Sequence, residues 1–138
     1  MENEQPPQEP PTPRVEFDAP DLAARIEALT QYELDRLPFG VILIDRDGTV
    51  LFYSETEARQ SGYGGSPLGQ NLFAISSCMA SGDFRGRILR AAEKGPVDLE
   101  FGWPGDFGDA KRELRIRVQS SLRRGFWIFI ERDASAAR

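Results

Sequence analysis

The chain has 138 residues and carries 17 basic against 22 acidic side chains, a net charge of −5. This length fits a single domain, and the acidic balance argues against a nucleic-acid-binding protein, which usually has a basic surplus. The sequence has no histidine and one cysteine, Cys78, which excludes an internal disulfide, histidine-based catalysis and nearly every zinc site. No apolar run approaches the roughly 18 residues of a membrane span, and Met1 to Pro13 lack the apolar core of a signal peptide. We therefore expect a cytoplasmic, non-enzymatic domain without a membrane or nucleic-acid partner.

The first 20 residues differ in composition from the rest of the chain. They contain six of the ten prolines and five acidic residues against one arginine. Such a segment buries too little apolar surface to offset the entropy lost on ordering. The sequence therefore predicts a disordered tail over 1–20, a domain over 21–133 and a short tail over 134–138. The alternative interpretation of the first tail is a proline-rich motif that binds a partner.

The predicted elements follow in chain order. Apolar residues at helical spacing predict a helical cap over 21–37, which ends before Pro38. Further elements are predicted as strands over 40–45 and 49–53, helices over 54–60, 69–77 and about 81–94, and strands over 97–103, 112–121 and 126–132. In the strand over 112–121, alternation places Leu114, Ile116 and Val118 inward and Arg115 and Arg117 outward. The last strand is continuously apolar, which predicts a central position in its sheet.

This order of elements predicts an α+β fold with one five-stranded antiparallel sheet and helices packed on one face. A cavity would then lie between the sheet and the central helices. The arrangement is that of a PAS domain.

Several short segments make the resemblance more specific: Leu34–Gly40, Ile44–Gly48, Leu51–Tyr53, Gly69–Phe73 before Cys78, and Phe126–Arg132. Together they resemble the photoactive yellow proteins, which are PAS-fold blue-light receptors of bacteria. The resemblance covers roughly residues 34 to 132.

The resemblance implies that Cys78 carries p-coumaric acid (4-hydroxycinnamic acid) as a thioester. It also implies that Tyr53 and Glu57 hydrogen-bond the phenolate of this chromophore, and that Ser61 supports Tyr53 in place of a threonine. The remaining residues expected at the pocket are Leu72, Trp103, Phe107 and Tyr63, the last standing where the family usually has an arginine.

The proposed phenolate contacts agree with the chemistry of the residues. A phenol has a pKa of about 10 in water, so a buried phenolate at neutral pH needs hydrogen-bond donors aimed at its oxygen. The hydroxyl of Tyr53 and a protonated Glu57 can both donate. Glu57 stays protonated only if burial raises its pKa and no cation neutralises it.

The resemblance further implies a signalling mechanism. Light isomerises the chromophore from trans to cis, Glu57 gives its proton to the phenolate, and an unpaired carboxylate remains in the core. Because a buried unpaired charge is costly, the helices over 21–36 open partially, and this opening is the signal.

Two other functions are consistent with the sequence. The chain could be a PAS sensory or interaction module that binds another small ligand or none. An enzyme with Cys78 as nucleophile is disfavoured, because no histidine exists to activate the thiol. For a photoreceptor we expect an unidentified downstream signalling protein as partner, and a monomer or weak homodimer.

Overall fold

The computed structural model describes residues 15–61, 65–75, 82–104, 113–122 and 125–132. Its elements in chain order are α1 Leu22–Glu27, α2 Gln31–Asp35, β1 Gly40–Ile44, β2 Val50–Tyr53, α3 Glu55–Ser61, α4 Leu72–Ile75, α5 Gly82–Lys94, β3 Asp98–Pro104, β4 Glu113–Ser120 and β5 Phe126–Arg132. The predicted helices and strands are all found, with α4 beginning at Leu72 rather than at residue 69. Within these described ranges, no helix has the length and apolar character that crossing a bilayer requires.

The strands form one five-stranded antiparallel sheet in the order β2-β1-β5-β4-β3. Strand β5 lies at its centre, as its continuous apolar sequence predicts. Each edge of β5 pairs with a neighbour, so Ile130 lies opposite Gly40 of β1 and Ile116 of β4. The expected antiparallel sheet is therefore confirmed.

Helices cover both faces of this sheet, and the prediction that they pack on one face is wrong. Ile128 of β5 belongs to a core cluster with Phe84 and Ile88 of α5. Its neighbour Phe129 belongs to a second cluster, with Leu22 of α1. Side chains alternate between the faces along a strand, so a strand that is apolar at consecutive positions needs a cover on each face.

The segment over 15–20 is packed on the sheet, although composition assigns it to a disordered tail. Phe17 is 4% exposed and meets Phe39 edge-to-face, with ring centroids 5.5 Å apart. Buried Arg117 of β4 donates to the carbonyl oxygens of Phe17 at 2.6 Å and Ala19 at 2.8 Å. These contacts offset the ordering cost, which makes the predicted tail boundary at residue 20 wrong. Residues 1–14 and the predicted tail over 134–138 lie outside the described residues.

Arg115 adds an electrostatic attachment for this N-terminal segment. Its guanidinium binds Asp18 at 2.5 Å, Glu100 at 3.0 Å and Glu131 at 3.0 Å. Arg115 and Arg117 point away from the α5 face, as predicted. Both contact the N-terminal segment, so this face of the sheet is not simply exposed to solvent.

Replacing Asp18 tests this attachment. The hydrogen bond from Arg115 holds the pKa of Asp18 below its ordinary value of 3.8. A lowered carboxyl pKa stabilises the docked segment above pH 3.8, and this contribution is lost as the pH falls further. We expect Asp18→Asn to speed amide hydrogen exchange over 15–20 by about two- to fivefold at pH 7, because exposed ion pairs are weak. After correction for intrinsic rates, the difference between the two proteins should shrink as the pH falls below 3.8.

The matched control is Asp21→Asn. Asp21 pairs with Arg25 within α1, at 2.8 Å, and this substitution should leave exchange over 15–20 unchanged. Equal exchange in Asp18→Asn and the unmodified protein at pH 7 would show that the ion pair contributes nothing to docking.

Candidate functional site

The predicted site lies where β2 leads into α3, and two short side chains hold α3 in place. The Ser54 hydroxyl oxygen accepts from the N–H groups of Glu57 and Val41, both at 3.1 Å. The first of these bonds caps the helix at its start, and the second joins the cap to β1. Thr56 donates to the carbonyl oxygen of Leu37 at 2.6 Å. These bonds turn the face of α3 that carries Glu57 toward the sheet.

Glu57 forms a buried ion pair with Arg132, the last residue of β5. The two guanidinium Nη atoms donate to the two carboxylate oxygens, each at 2.7 Å. Both side chains are 3% exposed. A guanidinium at this distance favours the carboxylate over the carboxylic acid. The condition for a protonated Glu57, that no cation neutralises it, is therefore not met in this structure.

This ion pair makes each partner dependent on the other. Taking two charges out of water is costly, and their attraction recovers that cost only when the geometry is good. The bidentate arrangement meets this condition. Removing one partner deprives the other buried charge of this contact, and breaking a buried ion pair in this way costs about 3–5 kcal/mol.

Gly40 provides the space that the Glu57 carboxylate occupies. A Cβ atom at position 40 would lie 1.9 Å from Oε1 of Glu57 and 3.1 Å from its Cβ. Gly40 is fixed in β1 opposite Ile130, so the backbone has little freedom to withdraw. The ion pair therefore requires a residue without a side chain at this position.

Tyr53 and Ser61 meet beside the ion pair. The Tyr53 Oη and Ser61 Oγ atoms are 3.2 Å apart, within hydrogen-bond distance. Ser61 is fully buried and follows Glu57 by four residues, so the two share one face of α3. The structure thus gathers Tyr53, Glu57 and Ser61, three of the predicted site residues, at one end of the sheet.

The other predicted site residues are placed only in part. Leu72 is 4% exposed and belongs to the core cluster against which Tyr53 packs. The main chain of Trp103 lies in β3, opposite Leu114. Tyr63, Cys78 and Phe107 lie outside the described residues.

Sequence reasoning missed Arg132 and Gly40. A signal for Arg132 was present, because it continues the alternating series Phe126, Ile128 and Ile130 that faces the α5 cluster. An arginine in the inward register of a central strand indicates a buried anion near it. No comparable signal marks Gly40, because its role depends on a side chain 17 positions away.

Comparison with known proteins identifies relatives of this chain by sequence and by structure. No family model matches the chain. It is 26% identical to a photoactive yellow protein from Halochromatium salexigens and 29% identical to one from Cereibacter sphaeroides, covering 86% of this chain and 97% of each relative.

Solved structures agree with these sequence relatives. The photoactive yellow protein domain of a sensor histidine kinase from Rhodospirillum centenum is 30% identical with a TM-score of 0.69, over 79% of this chain and 98% of that domain. A PAS domain of an HTR-like protein from Haloarcula marismortui, 15% identical over 80% of this chain and 90% of that one, has a TM-score of 0.57 and shows the fold alone. The expected α+β PAS fold is confirmed.

Gly40→Ala tests how the site is built. The added methyl group would displace the Glu57 carboxylate from Arg132, so we expect a loss of about 3 kcal/mol or more in the free energy of unfolding. Urea denaturation followed by circular dichroism measures this loss. The matched control is Gly102→Ala in β3, where a Cβ meets nothing within 4 Å and should change stability by less than about 1 kcal/mol. An equally small effect at both glycines would contradict the packing described for Gly40.

Proposed function

Because the chain belongs to the photoactive yellow protein family, we propose that it is a blue-light photoreceptor with p-coumaric acid bound as a thioester to Cys78. The observation that carries this proposal is the polar cluster at one end of the sheet, in which Ser61, Glu57 and Arg132 are buried and Tyr53 is half-buried. Polar groups are expensive to bury, and here they are concentrated where the resemblance requires the phenolic end of the chromophore.

The side chains of this cluster fit a phenolic oxygen. The Tyr53 hydroxyl can donate a hydrogen bond to it, and Glu57 can donate in its acid form. Arg132 supplies a positive charge, which favours the ionised form of a neighbouring phenol. Hydrogen bonds to an ionised acceptor are short and strong, so such a pocket would hold the phenolic end in a defined position.

Attachment depends on Cys78, the one thiol of the chain. Its sulfur bonds to the acyl carbon of an activated p-coumaroyl donor, the bond from that carbon to the leaving group breaks, and the thiol proton departs with the leaving group. One thiol per chain implies one chromophore per chain.

When bound, the p-coumaroyl group supplies a double bond that isomerises from trans to cis on absorbing blue light. Tyr53 holds the phenolic oxygen by hydrogen bonding before the light reaction. In the loaded protein the phenolate would share the positive charge of Arg132, so that Glu57 can hold a proton at its carboxyl group until the light reaction and release it afterwards. Both residues act from rigid elements, because Tyr53 ends β2 and Glu57 is fixed on α3.

Strand β5 provides a physical connection between the pocket and the N-terminal helices. Arg132 contacts Glu57 at one end of this strand. Three residues earlier, Phe129 packs against Phe39 with ring centroids 6.2 Å apart, in the cluster that also contains α1. We propose that a change at Glu57 reaches the N-terminal helices along this strand and partially releases them.

The released surface would then be recognised by a downstream signalling protein. The proposal places the chain in the cytoplasm as a non-enzymatic monomer or weak homodimer, without a nucleic-acid or membrane partner. Its support is the family relationship and the packing of α1 on β4 and β5.

A second candidate function is a PAS module that binds another ligand or none. The observation in its favour is that Arg132 already binds both carboxylate oxygens of Glu57. The cluster is therefore not dependent on a bound phenol to satisfy that carboxylate.

Loading the purified protein with activated p-coumaric acid tests the proposed function. We expect a visible band that bleaches under blue light and recovers in the dark, with a mass increase of one coumaroyl group. Cys78→Ala should lose both the band and the added mass, while Ser77→Ala, the matched control at the neighbouring position, should keep them.

The alternatives give different results in this experiment. An adduct retained in Cys78→Ala would exclude the thioester at this residue. A folded protein that gains neither mass nor colour would favour the second candidate function.

A further inference from the structure

We propose that Arg132 is the internal counter-ion of the chromophore pocket, so that Glu57 can give up its proton without leaving an unpaired charge in the core. This inference rests on the proposed function, because it concerns the proton that Glu57 exchanges with the phenolic oxygen. It assigns to β5 the positive charge that Tyr63 cannot supply.

The geometry of the ion pair supports this role. Both Nη atoms of Arg132 lie 2.7 Å from an oxygen of Glu57, and water reaches neither side chain appreciably, since each is 3% exposed. A guanidinium presents its donors in a rigid planar fork that matches a carboxylate. It also remains protonated under all physiological conditions. Arg132 is therefore a permanent positive charge in contact with the proton-carrying group.

A count of charges shows what this permanent cation does. In the proposed reaction, Glu57 and the phenolic oxygen exchange one proton, and whichever of the two does not hold it is an anion. With Arg132 included, the net charge is zero whichever of the two groups holds that proton. Movement of the proton therefore changes which group carries the negative charge that Arg132 neutralises, but the net charge of the three groups stays zero.

Other charged groups on the surrounding elements do not take over this role. Glu131 on the opposite face of β5 binds Arg115, and Asp35 accepts from the main-chain N–H of Glu55. The remaining ionisable side chains on α3, β2 and the facing end of β4 are Glu55, Arg59, Glu113 and the Tyr53 hydroxyl, of which the first three are exposed and the last lies at Ser61. Within the described part of the chain, Arg132 is the buried cation at Glu57.

This role has a kinetic consequence. Return to the dark state requires Glu57 to take its proton back, and the contact with Arg132 favours the ionised carboxylate. The light state should therefore be long-lived in this protein. Without Arg132, the buried carboxylate of the same state would lose this counter-ion, and reprotonation would be faster.

The first test uses Arg132→Met before any chromophore is added, and it measures the folding equilibrium by urea denaturation between pH 5 and pH 9. Without its cation, buried Glu57 should take up a proton on folding, whereas in the unfolded chain it ionises near its ordinary pKa of about 4.3. Stability should then fall as the pH rises, by up to about tenfold in the equilibrium constant per pH unit. The unmodified protein should not show this slope.

Three further variants make this test specific. Arg132→Met combined with Glu57→Gln should remove the slope, because no ionisable group remains at the site. Arg132→Lys should also remove most of it, since the charge is kept. Arg46→Met, which deletes an exposed cation in the turn after β1, should behave like the unmodified protein. If Arg132→Met does not fold while the double variant does, the pairing is supported; an Arg132→Met protein with no added slope overturns it.

The second test uses the loaded protein and measures dark recovery after a blue flash. We expect recovery at least about tenfold faster in Arg132→Met, close to the original rate in Arg132→Lys, and unchanged in Arg46→Met. Equal recovery in Arg132→Met and the unmodified protein would overturn the role in the light reaction. Absence of any adduct in the unmodified protein would instead contradict the proposed function, and the pH series would still decide whether Arg132 neutralises Glu57.

Discussion

The whole structure depends on strand β5, which is paired along both edges and covered on both faces. Its side chains alternate between two separate hydrophobic cores, so each face of the strand packs against apolar side chains. A polar residue is tolerated on such a strand only if its partner is buried with it. Arg132 occupies the final inward position, and Glu57 is the buried anion that this position requires.

The candidate site is consequently built from a strand end, a helix and a neighbouring backbone rather than from loops alone. Ser54 and Thr56 anchor α3 by bonds to main-chain groups, and Gly40 leaves room for the carboxylate. A functional group held on such rigid elements keeps a more precise geometry than one held on a loop. This matters for a proton-carrying residue, because the strength of its hydrogen bonds changes steeply with distance and angle.

Much of the fold follows from local sequence pattern, whereas the site depends on long-range placement. The continuous apolar run over 126–130 correctly predicts a central strand, and the alternation in β4 correctly separates Leu114 from Arg115. The face on which α1 packs cannot be derived in this way, because an apolar stripe shows that a helix is covered but not by which face of a sheet. Phe17 was missed because the prolines and acids around it dominate the composition of the tail.

The contact between Glu57 and Arg132 joins residues 75 positions apart. Sequence reasoning correctly identified Glu57 as a buried residue but gave it no cation, because Arg132 was read only as the end of an apolar strand. Resemblance to a family directs attention to the positions that the family uses. The positive charge of Arg132 lies on β5, and its proximity to Glu57 can be recognised only once the register of the strands is known.

The attachment of the N-terminal segment has a consequence for how freely its sequence can change. Arg117 donates to the carbonyl oxygens of Phe17 and Ala19, while Gln119 donates to that of Pro20 and accepts from the N–H of Ala23. All four bonds end on main-chain atoms. The three carbonyl acceptors remain after any substitution, and the N–H of Ala23 is lost only on substitution by proline. The side chains that hold the segment in place therefore belong largely to β4. The segment itself can tolerate many substitutions, provided that Phe17 remains buried.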